Sequence, residues 1–355
     1  MPTHSILNRL PHDPRSQRGF TLIELMISLV IGLLLSAAIV KIYVDTSQIY
    51  KFQNAVSEVQ ENGRFASAFL RRATRLAGNF GCDASIKISG STLSDAEEKR
   101  LLFFNTEPPG GAPPQPAQPI GGSEGGGVAG VNGENSDELI LRGSTGGGVR
   151  LTANPANAAA DLTVEANSGI DDGNTFGVIS NCETTEIFKI NDVGNSAASD
   201  TIDFDGTLGV IYTTEKGTRV QEVEVVHYCI GRATAWTAAN TLMALKRLKN
   251  PLAGENCPND GEELVEGIQN LQVLYGVVTG PPFTIKYINA PAAGSTDLAN
   301  VKTLRVELLV RSLANAVTST AVPPTLAGAA IVLAANDRYL YKVMTNTITL
   351  RNKGT

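Results

Sequence analysis

The chain has 355 residues, a formal net charge of −6 and 42% hydrophobic residues, which suffices for one large folded domain or two smaller ones. Nucleic acid is not an expected partner, because phosphate binding needs clustered Lys and Arg and this chain is acidic overall. Only one of the three histidines, His227, lies beyond the first 12 residues. It falls in a strand-like pattern, so neither a histidine-based catalytic centre nor a histidine metal site is expected.

The first feature along the chain is an apolar run from Phe20 to Val40, whose only charged residue is Glu24. The run has the roughly 20 residues that a helix needs to cross the hydrocarbon layer. Basic residues outnumber acidic ones before it, so the N-terminus should stay cytoplasmic and the chain after Lys41 should cross the membrane. By hydropathy alone, the run also fits a plain signal anchor or a secretory signal cleaved near residues 36–38.

Glu24 separates these interpretations. An acid at the centre of a membrane span costs roughly 2.5 to 3.5 kcal/mol, and somewhat less near an end, so it usually has a partner. The stretch RGFTLIELMISLVIGLLLSAA closely resembles the class III signal of type IV prepilins and type II secretion pseudopilins. The resemblance implies that a prepilin peptidase removes residues 1–19 by cutting between Gly19 and Phe20, and that the new amine of Phe20 is methylated. Glu24 would then be the family's assembly glutamate, which neutralises that amine on a neighbouring subunit.

Residues 20–78 predict one continuous N-terminal helix that spans the membrane over about 20–40, because the segment is rich in helix formers and contains no proline. The second half of this helix carries an apolar stripe at spacings of three and four residues: Val56, Val59, Gly63, Ala66, Leu70, Ala73 and Ala77. The stripe favours packing against a folded domain of the same chain. A short coiled coil is the alternative, although half of its core positions would be small.

Residues 79–355 predict a β-rich periplasmic domain, which makes the fold class α+β: a long N-terminal helix packed on an antiparallel sheet, as in pilins. The best strand candidates are residues 136–144, 222–230, 241–248, 271–278, 301–312 and 339–352. Leu264, Val265, Ile268 and Leu271 have helical spacing and predict a short helix. The Pro- and Gly-rich segment at about 106–135 predicts a long surface loop.

All four cysteines, Cys82, Cys182, Cys229 and Cys257, follow the membrane segment, where thiols tend to be oxidised. Four cysteines allow three pairings, of which we favour Cys229 with Cys257 and Cys82 with Cys182. A zinc site is the alternative, but none of the spacings resembles CxxC. The sequences GIDDGN and PNDGEE do not match an EF-hand loop and predict ordinary turns. No catalytic residue, metal or cofactor is predicted.

A second resemblance lies in the body of the chain. The segments VVHYCIGR, TLMALKRL, EELVEGIQNLQVLYGV, VKTLRVELLVRS and TITLRN are similar to the PilW type of type IV pilus minor pilin, and less closely to the J-type pseudopilin of type II secretion. The PilW resemblance implies a structural subunit that helps to start pilus assembly at or near the tip, and that waits in the inner membrane before assembly. The implied partners are other minor pilins, the major pilin, the prepilin peptidase, the inner-membrane assembly platform and membrane lipid.

Two alternatives to this function stay open from the sequence. The first is a type II secretion pseudopilin, because sequence near Glu24 does not separate the two machineries. The second is a membrane-anchored binding or enzymatic domain whose prepilin-like start is coincidental.

Overall fold

The computed structural model describes residues 19–81, 86–88, 119–125, 135–144, 146–170, 176–204, 206–238, 240–251, 255–290, 300–315, 322–334 and 337–351. The chain divides at Gln53 into two compact units, and each is described by itself. Helix α1, Leu22–Leu76, contributes to both units. Almost all the other elements are strands, so the predicted α+β class is confirmed.

Helix α1 ends in a glycine. The N–H of Ala77 still donates to the carbonyl of Ala73 at 3.0 Å, and Gly78 then adopts a left-handed conformation with φ of 76°. Glycine takes this conformation without steric cost, and it commonly stops a helix. The N–H of Gly78 donates to the carbonyl of Arg142 at 2.7 Å, so this bond joins the end of the helix to the strand that contains Arg142.

The predicted apolar stripe faces the sheet. The buried residues of the helix within the second unit are Ala55, Val59, Gly63, Ala66, Ser67, Leu70 and Thr74. Of the predicted positions, Val56 and Ala73 are half-buried, and Ala77 just beyond the helix is buried. The stripe packs against the domain of the same chain, as the spacing predicted.

Gly63 marks the closest approach of the helix to the sheet. A Cβ at this position would overlap the Sδ of Met344 and would lie 3.1 Å from Cγ2 of Val310. We therefore expect Gly63→Val to lower the free energy of unfolding by about 2 to 3 kcal/mol, because it overpacks this contact. Urea denaturation of the full chain in detergent micelles measures the loss.

Two controls accompany this variant. Ala68→Val, at an exposed position of the same helix, should cost less than about 1 kcal/mol. Met344→Ala should recover part of the cost of Gly63→Val, since the overlap is with that side chain. Equal losses for Gly63→Val in both backgrounds would show that the close contact is not the cause.

Within the described parts of the chain, the larger sheet contains eleven strands. They are β1 Ile86–Ile88, β2 Ile120–Ser123, β3 Glu138–Ser144, β4 Val149–Arg150, β5 Leu162–Glu165, β6 Phe176–Ser180, β7 Thr185–Gly194, β8 Ser199–Phe204, β9 Arg219–Arg232, β10 Met243–Lys249 and β11 Glu262–Glu266. The strand order is β11-β10-β9-β6-β7-β8-β5, and β3 and β4 also pair with β9. The described strands of this sheet pair in antiparallel fashion, except that β1 and β7 are parallel.

The smaller sheet has four antiparallel strands in the order β13-β12-β14-β17. They are β12 Ile268–Thr279, β13 Thr284–Ile288, β14 Val301–Arg311 and β17 Tyr341–Thr349. A two-stranded hairpin, β15 Thr325–Leu326 with β16 Ala329–Ala330, packs beside β14. The other elements of the described residues are a 3₁₀ turn at Thr214–Lys216 and a one-turn helix, α2, at Cys257–Asp260.

The two largest hydrophobic cores among the described residues lie in this unit. In the larger core the helix stripe meets side chains from both sheets, including Leu139 of β3, Leu245 of β10 and Leu308 of β14. The second core lies among β5 to β8, where the rings of Phe188 and Phe204 are 5.2 Å apart. The six predicted strands all occur as strands, whereas β5 to β7 lie within residues 151–200, where the sequence shows no recognised pattern.

The short helix predicted around residues 264–271 is wrong. These residues form the end of β11, a turn at Gly267 and the start of β12. Gly267 has a φ of 79°, and its carbonyl accepts from the N–H of Arg311 at 2.8 Å. The apparent helical spacing arises because β12 is buried on both faces and so lacks the alternation of a half-exposed strand.

The predicted long loop contains a strand. Within residues 106–135, β2 pairs with β3, and Ile120 is 1% exposed in the larger core. Residues 106–118 and 126–134 of the predicted loop lie outside the described residues. An isolated isoleucine among Gly and Pro did not indicate burial, because the partner that covers it is distant in sequence.

Candidate assembly site at the start of the N-terminal helix

The start of helix α1 is fixed by a capping residue. The backbone N–H of Glu24 donates to the hydroxyl Oγ1 of Thr21 at 3.3 Å, and to its carbonyl at 3.1 Å. Thr followed three residues later by Glu is the sequence pattern of a helix N-terminus, so Thr21 could have been identified from the sequence. The cap places Glu24 in the first helical turn, where the helix dipole favours a negative charge.

The helix that follows is apolar and uncovered. Phe20 is 84% exposed, and the most hydrophobic 18-residue window of α1 has a mean hydropathy of 2.5 and no buried residues. The helix is long and apolar enough to cross a membrane. Ser28 and Ser36 donate their hydroxyls to the carbonyls of Glu24 and Gly32, at 2.7 and 2.8 Å. The serines thus satisfy their own polar atoms, and Glu24 remains the ionisable side chain of the segment.

Gly19 and Phe20 precede the first helical turn. Both are exposed and neither belongs to a helix or strand. Residues 1–18, which include most of the predicted leader, lie outside the described residues. Cleavage at this junction and methylation of Phe20 remain predictions.

The predicted disulfide between Cys229 and Cys257 is present. It joins β9 to α2 across 28 residues of sequence, with both cysteines almost fully buried. Cys182 is also disulfide-bonded, and the described part of the chain holds no free cysteine. Cys82 lies outside the described residues, so its pairing with Cys182 remains a prediction. Gly81, which precedes Cys82 in the sequence, lies close to Ser180, because a Cβ on Gly81 would be 2.6 Å from that side chain.

His227 is buried in the larger sheet beside a carboxylate. It lies in β9, is 7% exposed, and its Nδ1 is 2.6 Å from Oε1 of Glu138 on the neighbouring strand β3. Among the described residues, no group of three or more His, Cys, Asp or Glu could hold a metal. The sequence PNDGEE, predicted to be a turn, begins with the last three residues of α2. Asn256 caps the N-terminus of α2, because its side-chain oxygen accepts from the N–H of Asn259 at 3.2 Å.

Asp137 is a buried acid that the sequence did not reveal. Its carboxylate accepts from the backbone N–H of Gly125 at 3.1 Å and of Val273 at 2.8 Å. Burial, the largest influence, raises the pKa of Asp137 to about 6. The bond to Val273 joins the start of β3 to β12 in the other sheet, so the carboxylate of Asp137 has a structural role.

Comparisons with known proteins agree with this geometry. Residues 14–40 match the family model of the prokaryotic N-terminal methylation motif, and residues 227–352 match that of the type IV pilus-assembly protein W. No curated protein and no solved structure matches the chain.

A methylation motif that leads into an exposed apolar helix, followed by an antiparallel sheet domain, defines a type IV pilus-related pilin. The second match covers about a third of the chain, from within β9 to the end of β17. It supports a pilin of the PilW type.

Proposed function

We propose that this chain is a minor pilin that takes part in starting the assembly of a type IV pilus, at or near its tip. One observation carries the proposal: Glu24 lies in the first turn of an uncovered apolar helix, as the fifth residue after a Gly19-Phe20 junction inside a methylation motif. The match to the type IV pilus-assembly protein W supports a role in pilus assembly. The chain would wait in the inner membrane, with its sheet domain in the periplasm, until it joins the filament.

Glu24 supports the proposal because it makes insertion into lipid less favourable. A carboxylate in such a place needs a compensating charge. Removal of residues 1–19 creates one, since the new N-terminal amine of Phe20 is cationic and lies in the same apolar surroundings. Glu24 of one subunit and the amine of the next would then neutralise each other, which favours docking in one axial register.

Processing is the first expected result. Mass spectrometry of the protein isolated from membranes should find an N-terminal, N-methylated Phe20. Deletion of the prepilin peptidase should leave the unprocessed chain in the membrane, because the peptidase makes the cut and the apolar run would still insert without it. A mature N-terminus near residues 36–38, or an intact Met1, would contradict the prepilin interpretation.

A deletion strain tests the role in assembly. Loss of this chain should reduce the number of surface pili while the major pilin accumulates in the membrane, and the wild-type gene should restore them. Unchanged pili together with a loss of secreted proteins would instead support a J-type pseudopilin of type II secretion. Unchanged pili and unchanged secretion would favour a membrane-anchored domain of another function.

A further inference from the structure

The edge strand β17 of the smaller sheet is open along one side. It pairs with β14 over nine residues in one continuous register, and no described strand pairs with its other side. Natural proteins protect such edges with proline, bulges or several charges. Strand β17 contains no proline, and Lys342 is its one charged residue.

A groove runs beside this edge, between β17 and helix α1. It has a volume of about 660 Å³. From the helix it is lined by Ser57, Gln60, Glu61, Arg64, Ser67 and Arg71, and from β17 by Lys342, Met344, Thr345 and Asn346. Met344 and Asn346 point toward the helix, because Met344 meets Gly63 and Asn346 donates to the hydroxyl of Ser67 at 2.8 Å.

The groove is basic in an otherwise acidic chain. Three cations, Arg64, Arg71 and Lys342, face a single acid, Glu61, whereas the chain as a whole carries −6. Arg71 is held in place because its Nη2 donates to Oδ1 of Asn346 at 3.2 Å. Arg64 and Arg71 are two helical turns apart, so their Cα atoms lie about 10 Å apart along the helix axis.

We propose that β17 accepts an added β-strand from another protein, and that this strand carries acidic side chains toward helix α1. An incoming strand would satisfy the open backbone groups of β17. Every second side chain of that strand would point to the helix side of the sheet, where Arg64, Arg71 and Lys342 lie. Carboxylates at those positions would form charge-assisted hydrogen bonds with the arginines.

A second copy of this chain is a poorer occupant. Pairing of β17 with β17 would bring two identical basic grooves together, and like charges would repel. The same acidic strand would complement the groove whether or not the chain acts in pilus assembly, so the inference does not depend on the proposed function.

Labelled peptides test the proposal directly. The full chain in nonionic detergent micelles is titrated, at low salt, with a fluorescent EVEVEVE peptide, a QVQVQVQ peptide, and an EVEVEVE peptide with N-methylated amides. Fluorescence anisotropy should give tighter binding for the first peptide than for the other two by at least about tenfold, since the second lacks the charge and the third lacks the strand hydrogen bonds.

Protein variants locate the site. Arg64→Gln combined with Arg71→Gln should weaken binding of the acidic peptide at least about tenfold and leave the affinity for QVQVQVQ unchanged. Arg72→Gln is the matched control, because Arg72 is exposed on the same helix but does not line this groove. Lys342→Gln provides a second groove variant on the strand. Hydrogen exchange should slow within β17 when the acidic peptide binds.

Several results would overturn the proposal. They are no binding up to millimolar peptide, equal binding of the three peptides, an equal loss in Arg72→Gln, or slowed exchange in β13 instead of β17. Self-association of the chain that disappears in Arg64→Gln with Arg71→Gln would identify a second copy as the occupant, which also contradicts an acidic partner strand.

Discussion

Glu24→Ala is expected to enter the membrane and to be cut after Gly19 like the wild type, but to be lost from the filament. Neither insertion nor cleavage needs the acid, and its removal makes the helix more apolar. By the proposed pairing with the amine of a neighbouring subunit, assembly should need it, because an unpaired amine and an unpaired carboxylate are each costly in an apolar environment. Membrane fractions should therefore contain processed variant, while pulldown of neighbouring minor pilins and counts of surface pili fall.

Two further variants separate the charge from the shape of the side chain. Glu24→Gln keeps the size and hydrogen-bonding capacity but loses the charge, so it should behave much like Glu24→Ala. Ser28→Ala lies one helical turn further on and removes only a hydroxyl that donates to the carbonyl of Glu24. It should assemble like the wild type.

The location of the subunit sets the size of this effect. A subunit at the very tip has no partner above it and uses one half of the pairing, so its loss from the filament would be partial. Wild-type pilus numbers and wild-type pulldown in both Glu24→Ala and Glu24→Gln would refute the role of Glu24 in register.

The second large effect concerns the disulfide between Cys229 and Cys257. Replacing both cysteines by alanine is expected to lower the free energy of unfolding by about 3 to 4 kcal/mol. The chain-entropy model gives this value for a bond that closes 28 residues. Denaturant unfolding of the full chain in micelles measures the difference between the variant and the wild type.

A second background isolates this bond. In a chain with Cys82→Ala and Cys182→Ala, reductant present during unfolding should remove the advantage of Cys229 and Cys257. The same reductant should not change the chain that lacks all four cysteines. If the variant with Cys229→Ala and Cys257→Ala were as stable as the wild type, α2 and β9 would be joined by packing alone.

Local patterns in the sequence predicted several parts of the fold correctly. The stripe on α1 predicted its buried face because a helix places residues three and four apart on one side. The six strand candidates have apolar and β-branched runs and all form strands. The pairing of Cys229 with Cys257 was favoured because a unit of two strands brings them close, and it is present.

Other parts depended on partners distant in sequence. The end of β11 and the start of β12 were misread as a helix because both faces of β12 are covered, which removes the alternation that marks a strand. Asp137 lies inside the strand candidate 136–144, where nothing local indicates burial, yet its carboxylate accepts hydrogen bonds from the backbone N–H groups of Gly125 and Val273. Neither environment can be inferred from the neighbours along the chain.

The sequence by itself determined the apolar helix at the start of the chain, since the run from Phe20 to Val40 is a local feature that hydrophobicity explains. The Gly19-Phe20 junction and the role of Glu24 are predictions from the resemblance of this run to prepilin signals. Only the tertiary structure decided how the C-terminal body is arranged. It placed Gly63 against Met344, divided the strands between two sheets and left the edge of β17 beside a basic groove. The physical reason is that sheet order and close packing join residues far apart in the chain, and local propensity carries no information about those contacts.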